Sequence, residues 1–368
     1  MYFCLNFTSI HQFKTSKLLV LIMRNTSLIH CLKSFINNIY IALFVAITCL
    51  FWSGCGEKVC KDIPDISKIN VDVRINSLEN EMLNLSTWQE TKIFLKANRM
   101  FADYFMHANQ YPNDSILAKR LFRLLKAPAV DTVFLECQKV FADMSDLLSD
   151  YGQAYKIINY YYPETQVPKL ETVVTAFYND LYISDSLIIV GLDYFLGPEA
   201  TFKPDEHDYI LKRFKKESVV PTIMNFVSNE FNKIDKKHNT LLADMINIGK
   251  AYYFTSQVLP CATDSLIIGY TSEEMNLVNR NQEIIWANFI ENELLYETND
   301  AMKTKFIGES PHVFEISDKC PGRIGAWVGW EIVKKYMASN NISLKELMSD
   351  NDAHKIFQIA KYRPKNTD

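Results

Sequence analysis

One short stretch limits what this chain can become: the apolar run from Ile39 to Trp52, closed by Ser53-Gly54-Cys55-Gly56. A basic start, an apolar core of about 7–15 residues and small residues before a cut make a secretory signal. A cysteine directly after the small pair narrows this to the signal of a bacterial lipoprotein, cut before Cys55, with diacylglycerol on the thiol. A further acyl chain on the new amino terminus makes the attachment durable, because each buried CH2 contributes about 0.8 kcal/mol and one chain binds only reversibly. The run is shorter than the roughly 20 residues that a helix needs to cross a bilayer. The sequence therefore predicts a signal over residues 1–54 and a linker over residues 55–76. Met23, followed by Arg24 and Lys33, is an alternative start. The competing reading is an uncleaved N-terminal membrane helix in which Cys55 is an ordinary cysteine.

Charge bears on the partners. The 368 residues hold 39 Lys and Arg against 43 Asp and Glu. Loss of residues 1–54 removes Lys14, Lys17, Arg24 and Lys33 but no acid, leaving a net charge of about −8, opposite in sign to what nucleic acid attracts. Of eight cysteines, Cys60, Cys137, Cys261 and Cys320 remain besides Cys55. Their spacing contains no C-x-x-C pair and fixes no disulfide framework, so four partly buried thiols and one or more bridges both stay open.

Hydrophobic residues make up 48% of the chain, and glycine and proline number only 11 and 12. Long stretches free of both favour helix. Apolar steps of three and four predict helix over Leu78 to Ala108, Ser115 to Lys126 with Asp114 as cap, and Asp131 to Tyr162, which Pro163 ends. More helix is predicted over Asp205 to Phe214, Val220 to Phe231, Leu241 to Leu259, Ser272 to Phe289, Asp300 to Phe306, Gly322 to Ser339 and Leu344 to Ile359. Thr271 and Glu274 have the spacing of a capping box. Leu170 to Tyr178 and Ser186 to Leu192 are rich in β-branched and aromatic residues, and the turn formers of Asn179 to Asp185 predict that they pair as a hairpin. The fold class is mainly α with a small β-hairpin or sheet (α+β), a single domain over residues 77–368.

Chemistry-bearing motifs are few. None of His107, His207, His238, His312 and His354 begins a His-Glu-x-x-His motif, whose imidazoles one turn apart bind zinc. His207 has acidic neighbours, but adjacent helical residues do not face one way. No phosphate loop, Gly-x-Ser-x-Gly elbow or dinucleotide fingerprint occurs. The most distinctive segment runs from Cys320 to Trp330. Pro321 suits a helix entry, and Gly322, Gly325 and Gly329 share one side, where another backbone can approach closely. Two readings stand: a groove or partner surface with Arg323 contacting an anion or carboxylate, or tight helix packing with Trp327 and Trp330 in the core. Gly249 and Lys250 pose the same choice, with Lys250 placed to pair with an acid.

Together, Cys55-Gly56, Gly191 to Gly197, Gly249 to Phe254, and Pro321 to Gly325 with Trp327, Gly329 and Trp330 resemble the GldB-type gliding-motility lipoproteins. The resemblance covers nearly all of the chain after Cys55. It implies a lipid-anchored envelope protein facing the periplasm, palmitate on Cys55 included, that serves surface motility beside type IX secretion machinery. Its implied partners are the membrane, through the lipid, and envelope motility proteins, with either membrane open. The chain is also distantly similar to zinc peptidases with a His-Glu-x-x-His helix after a Leu-Asp-x-x-Leu-Gly segment. Here the corresponding helix, Pro221 to Glu230, has no histidine, and Ile248 stands where those enzymes tend to carry glutamate. The expectation is a degenerate zincin-like scaffold, not an enzyme, with no catalytic residue, metal or cofactor. The alternatives are an envelope hydrolase using carboxylates such as Asp193, Glu199 or Glu206, and a small-ligand binding lipoprotein.

Overall fold

The computed structural model describes residues 60–365, so the signal and Cys55 lie outside the described residues. From Cys60 the chain runs along the body, with Ile66, Val71 and Val73 packed on its core, into strand β1 (Ile75–Ser77). The part of the expected linker from Cys60 onward is thus docked on the body.

Helices α1 (Leu78–Leu83), α2 (Trp88–Ala97), α3 (Asp114–Leu125), α4 (Pro128–Val140) and α5 (Ser145–Tyr161) follow, with a π-helical turn at Phe101–Phe105. Each buries one apolar stripe, as α3 does with Leu117, Leu121 and Leu125. The cap of α3 is Asn113, whose side chain accepts from the N–H groups of Ser115 and Ile116. Asp114, expected in that role, instead pairs with Arg99 at 3.1 Å.

The sheet comprises β1, β2 (Lys169–Val173), β3 (Leu181–Ile183) and β4 (Leu187–Gly191), in the order β1-β2-β4-β3. The predicted hairpin between Leu170 to Tyr178 and Ser186 to Leu192 does not form. Its two apolar segments do lie side by side, but β2 and β4 run parallel, with Leu170 opposite Ile188 and Thr172 opposite Val190. The true hairpin is β3 with β4. Residues 179–185, despite their turn formers, hold a whole strand, so the chain reverses twice before β4. Every residue of β4 is buried, as a central strand covered on both faces requires.

The second half is helical: α6 (Asp208–Leu211), α7 (Val219–Val227), α8 (Leu241–Val258), α9 (Asp264–Ile268), α10 (Ser272–Arg280), α11 (Gln282–Glu291), α12 (Asp300–Ile307), α13 (Ile324–Ser339), α14 (Leu344–Ser349) and α15 (Ala353–Ala360). The capping box forms as expected, with the Thr271 hydroxyl accepting from Glu274 N–H and the Glu274 carboxylate from Thr271 N–H. Four predicted helices are interrupted: Leu78 to Ala108 gives α1, α2 and the π-helical turn, Asp131 to Tyr162 gives α4 and α5, Ser272 to Phe289 gives α10 and α11, and Leu344 to Ile359 gives α14 and α15. The apolar spacing continues across each break, so periodicity alone did not mark the joints. The helix expected over Asp205 to Phe214 shrinks to α6. No helix among the described residues is long and apolar enough to cross a membrane.

The central pair is α8 with α13. A Cβ at Gly329 would overlap the Met245 carbonyl, and one at Gly249 would overlap the main chain of Gly329. Gly325 lies close to Ile307 and Met245, and Trp327 and Trp330 are buried. The small residues thus let two backbones meet, and the dispersion and burial gained offset a helix cost of about 1 kcal/mol per glycine. Cys60 bonds to Cys261, and Lys61 N–H donates to the Pro260 carbonyl at 3.0 Å. Cys137 and Cys320 are free and buried.

Gly329→Ala should lower the unfolding free energy by roughly 1–3 kcal/mol or more, because backbone cannot yield as a side chain would; an unchanged denaturation midpoint would refute the contact. Reducing the Cys60–Cys261 bridge, which spans 201 residues, should cost roughly 2–4 kcal/mol and expose Lys61 and Lys68 to trypsin, read by mass spectrometry.

Candidate functional site

The segment from Cys320 to Trp330 lies at the centre of the body. Arg323 stands at the head of α13 with φ 61°, a left-handed conformation costly for a non-glycine residue. Its guanidinium is fully engaged. It donates to the Ile268 carbonyl at 2.7 Å and the Tyr252 hydroxyl at 3.2 Å, and lies 3.6 Å from Glu309. Tyr270 sits beneath it, ring centroid 5.7 Å away, and donates its own hydroxyl to the Gly322 carbonyl at 2.7 Å. Gly322, Gly325, Trp327, Gly329 and Trp330 are buried. Of the two readings, the geometry is that of packing: these residues join α8, α9 and α13 and offer no open face.

Lys250 is 1% exposed and meets no acid directly. Its ammonium donates to the carbonyls of Lys233 at 2.9 Å, Asp350 at 2.7 Å and Met348 at 3.4 Å. Burial pulls its pKa down to about 8, and the nearby Asp350 charge opposes that. The lysine closes the end of α14 and the loop before α8 onto one helix, a role that sequence spacing had not indicated.

Asp193, a carboxylate considered for hydrolysis, is 1% exposed. One carboxylate oxygen accepts from Phe177 N–H at 2.6 Å and Thr175 N–H at 3.2 Å. These donors lie in a turn where Ala176 and Phe177 have φ of 54° and 62°, so the carboxylate fixes strained backbone between β2 and β3. Burial pushes the acid up to about 6, while the N–H groups of Phe177 and Thr175 pull the other way. Glu199 and Glu206 are exposed and are not drawn into a shared site with it.

Between α7 and α8 lies a space of about 490 Å³, with Asn225, Asn229, Asn232, Asn247, Phe226 and Ile248 on its walls. Asn225 and Asn229 stand four residues apart, the spacing of the two imidazoles in a His-Glu-x-x-His motif. The Asn225 amide is already spent, donating to the Ile267 carbonyl at 3.0 Å and accepting from the Thr255 hydroxyl at 2.6 Å. Zinc sites use imidazole, thiolate or carboxylate ligands, and neutral amides with an isoleucine do not supply them. The residues present do not fit the metal. Nor do any three His, Cys, Asp or Glu residues cluster for a metal elsewhere among the described residues.

Comparison with protein families decides the relationship. The sequence model described as gliding motility protein GldB matches residues 59–364. The chain belongs to the GldB family. No curated protein and no solved structure matches it. Membership in this lipoprotein family links the chain to gliding motility and to the cell envelope.

Asp193 gives a pH test with a defined sign. An acid with a raised folded pKa binds its proton more tightly when folded, so its contribution is full below 3.8 and lost as pH rises toward about 6. Stability from this group should fall by on the order of 2–3 kcal/mol across that window. Asp193→Asn, which keeps an acceptor without the charge, should flatten the slope in denaturation curves between pH 4 and 6.5. Asp193→Ala should destabilise at every pH by stranding two N–H donors, and an unaltered slope in the Asn variant would contradict the assignment.

Proposed function

We propose that this chain is a lipid-anchored envelope protein that supports gliding through protein contacts and performs no catalysis. Membership in the GldB family over residues 59–364 carries this reading. Three observations support the non-catalytic part. The α7–α8 cleft presents amides where a hydrolase would need ligands, Asp193 is committed to main-chain donors, and Arg323 and Lys250 are spent on carbonyls.

The anchor would be Cys55, processed and acylated, with the body on the periplasmic side beside the type IX secretion and motility machinery. Four residues, Gly56 to Val59, separate that cysteine in sequence from Cys60, the first described residue. Such a protein works near its membrane and meets partners through its surface.

Deleting the gene should abolish colony spreading. A Cys55→Ala variant should appear in the soluble fraction, lose label from an alkyne-tagged palmitate and fail to restore spreading. Normal spreading after deletion, or an unlabelled but membrane-bound wild type, would overturn the proposal.

A further inference from the structure

The sheet is open on its β3 side. In the β3–β4 ladder Tyr182 pairs with Ile189, flanked by Ser184 N–H donating to the Leu187 carbonyl and Gly191 N–H donating to the Asp180 carbonyl. Antiparallel pairing alternates, so the main-chain groups of Leu181 and Ile183 point away from β4. The Asp180 carboxylate covers the Leu181 N–H. The Leu181 carbonyl and both main-chain groups of Ile183 have no protein partner among the described residues. All three β3 residues are partly exposed. Tyr182 stacks on Tyr104 with ring centroids 5.3 Å apart, and Tyr104 is 54% exposed, so this ring pair beside the strand reaches the surface.

Charge identifies the occupant. Asp180 and Glu206 lie within electrostatic reach of each other at one end of β3, and Asp185 and Glu230 at the other. Burial and then the neighbouring acid raise both Asp180 and Glu230. None of the four has an ion-pair partner among the described residues, although elsewhere on the body carboxylates such as Asp264 and Asp350 are paired with lysines. Two unneutralised acidic pairs bracketing a row of free main-chain groups suit a strand that brings cations.

We propose that the free edge of β3 takes up an extended basic peptide segment of a partner protein as a fifth strand. Main-chain hydrogen bonds supply the pairing, as in other cases of strand addition, and lysine or arginine side chains answer the acidic pairs. The inference rests on the reading that this protein works through protein contacts, and it supplies the chemistry of one such contact.

The mature lipoprotein, purified in detergent, can be titrated with a dye-labelled peptide of alternating lysine and valine and followed by anisotropy. Saturable binding is expected. It should weaken at least tenfold when alternate peptide nitrogens are methylated, when glutamate replaces lysine, and in an Asp185→Lys, Glu230→Lys variant. Ile183→Pro, which removes one outward donor on an edge strand, should also weaken it, with circular dichroism checking that the fold is kept. Absence of saturable binding, or equal binding of the methylated or the glutamate peptide, overturns the proposal. These outcomes do not depend on spreading or acylation, so a failure here leaves the motility reading standing, and the reverse.

Discussion

The close meeting of two main chains, α8 at Gly249 and α13 at Gly329, is the contact on which the rest of the described body is arranged. Nothing larger than hydrogen fits at either crossing point. With the helices so near, Trp327 and Trp330 reach past the crossing into the core, and Tyr252 packs against Trp330 with ring centroids 5.5 Å apart. The crossing also sets where Arg323 stands, since it heads α13 and must reach Tyr252 on α8 and the carbonyl that ends α9.

Irregular segments are fastened by buried charge. Lys250 collects three carbonyls from two chain regions, Arg323 takes one carbonyl and a phenol, and Asp193 gathers two N–H groups from a left-handed turn. A buried main-chain group without a partner costs roughly 1–3 kcal/mol, so each of these side chains satisfies donors or acceptors that no helix or sheet could reach. Charged residues of types also found in active sites are here engaged with main chain. Along the outer edge of β3, by contrast, main-chain groups have no partner among the described residues.

Much of this was legible in the sequence because it is local. The capping box at Thr271 and Glu274, the apolar faces of α3 and α8, and the clustering of Gly325, Trp327 and Gly329 on a packed helix all follow from short spacings. The parallel pairing of β2 with β4 was not legible, since hydrophobic runs specify burial and not direction, and three-residue strands such as β1 and β3 leave too short a pattern. The Cys60–Cys261 bridge joins positions 201 residues apart, a distance over which spacing says nothing. At the candidate site, the lack of imidazoles on α7 was readable, but the commitment of Lys250 to carbonyls and of Asp193 to a strained turn depends on what tertiary structure brings to them.

The conspicuous glycine, arginine and tryptophan residues hold the described body together, and the proposed interaction falls to its edge. Residue-resolved hydrogen exchange of the mature protein tests this most directly. The amides of α8 and α13 should open only with global unfolding and rank among the slowest, while Leu181 and Ile183 exchange early. Amides of Ile324–Ser339 exchanging as fast as those of α3 or α10 would contradict it.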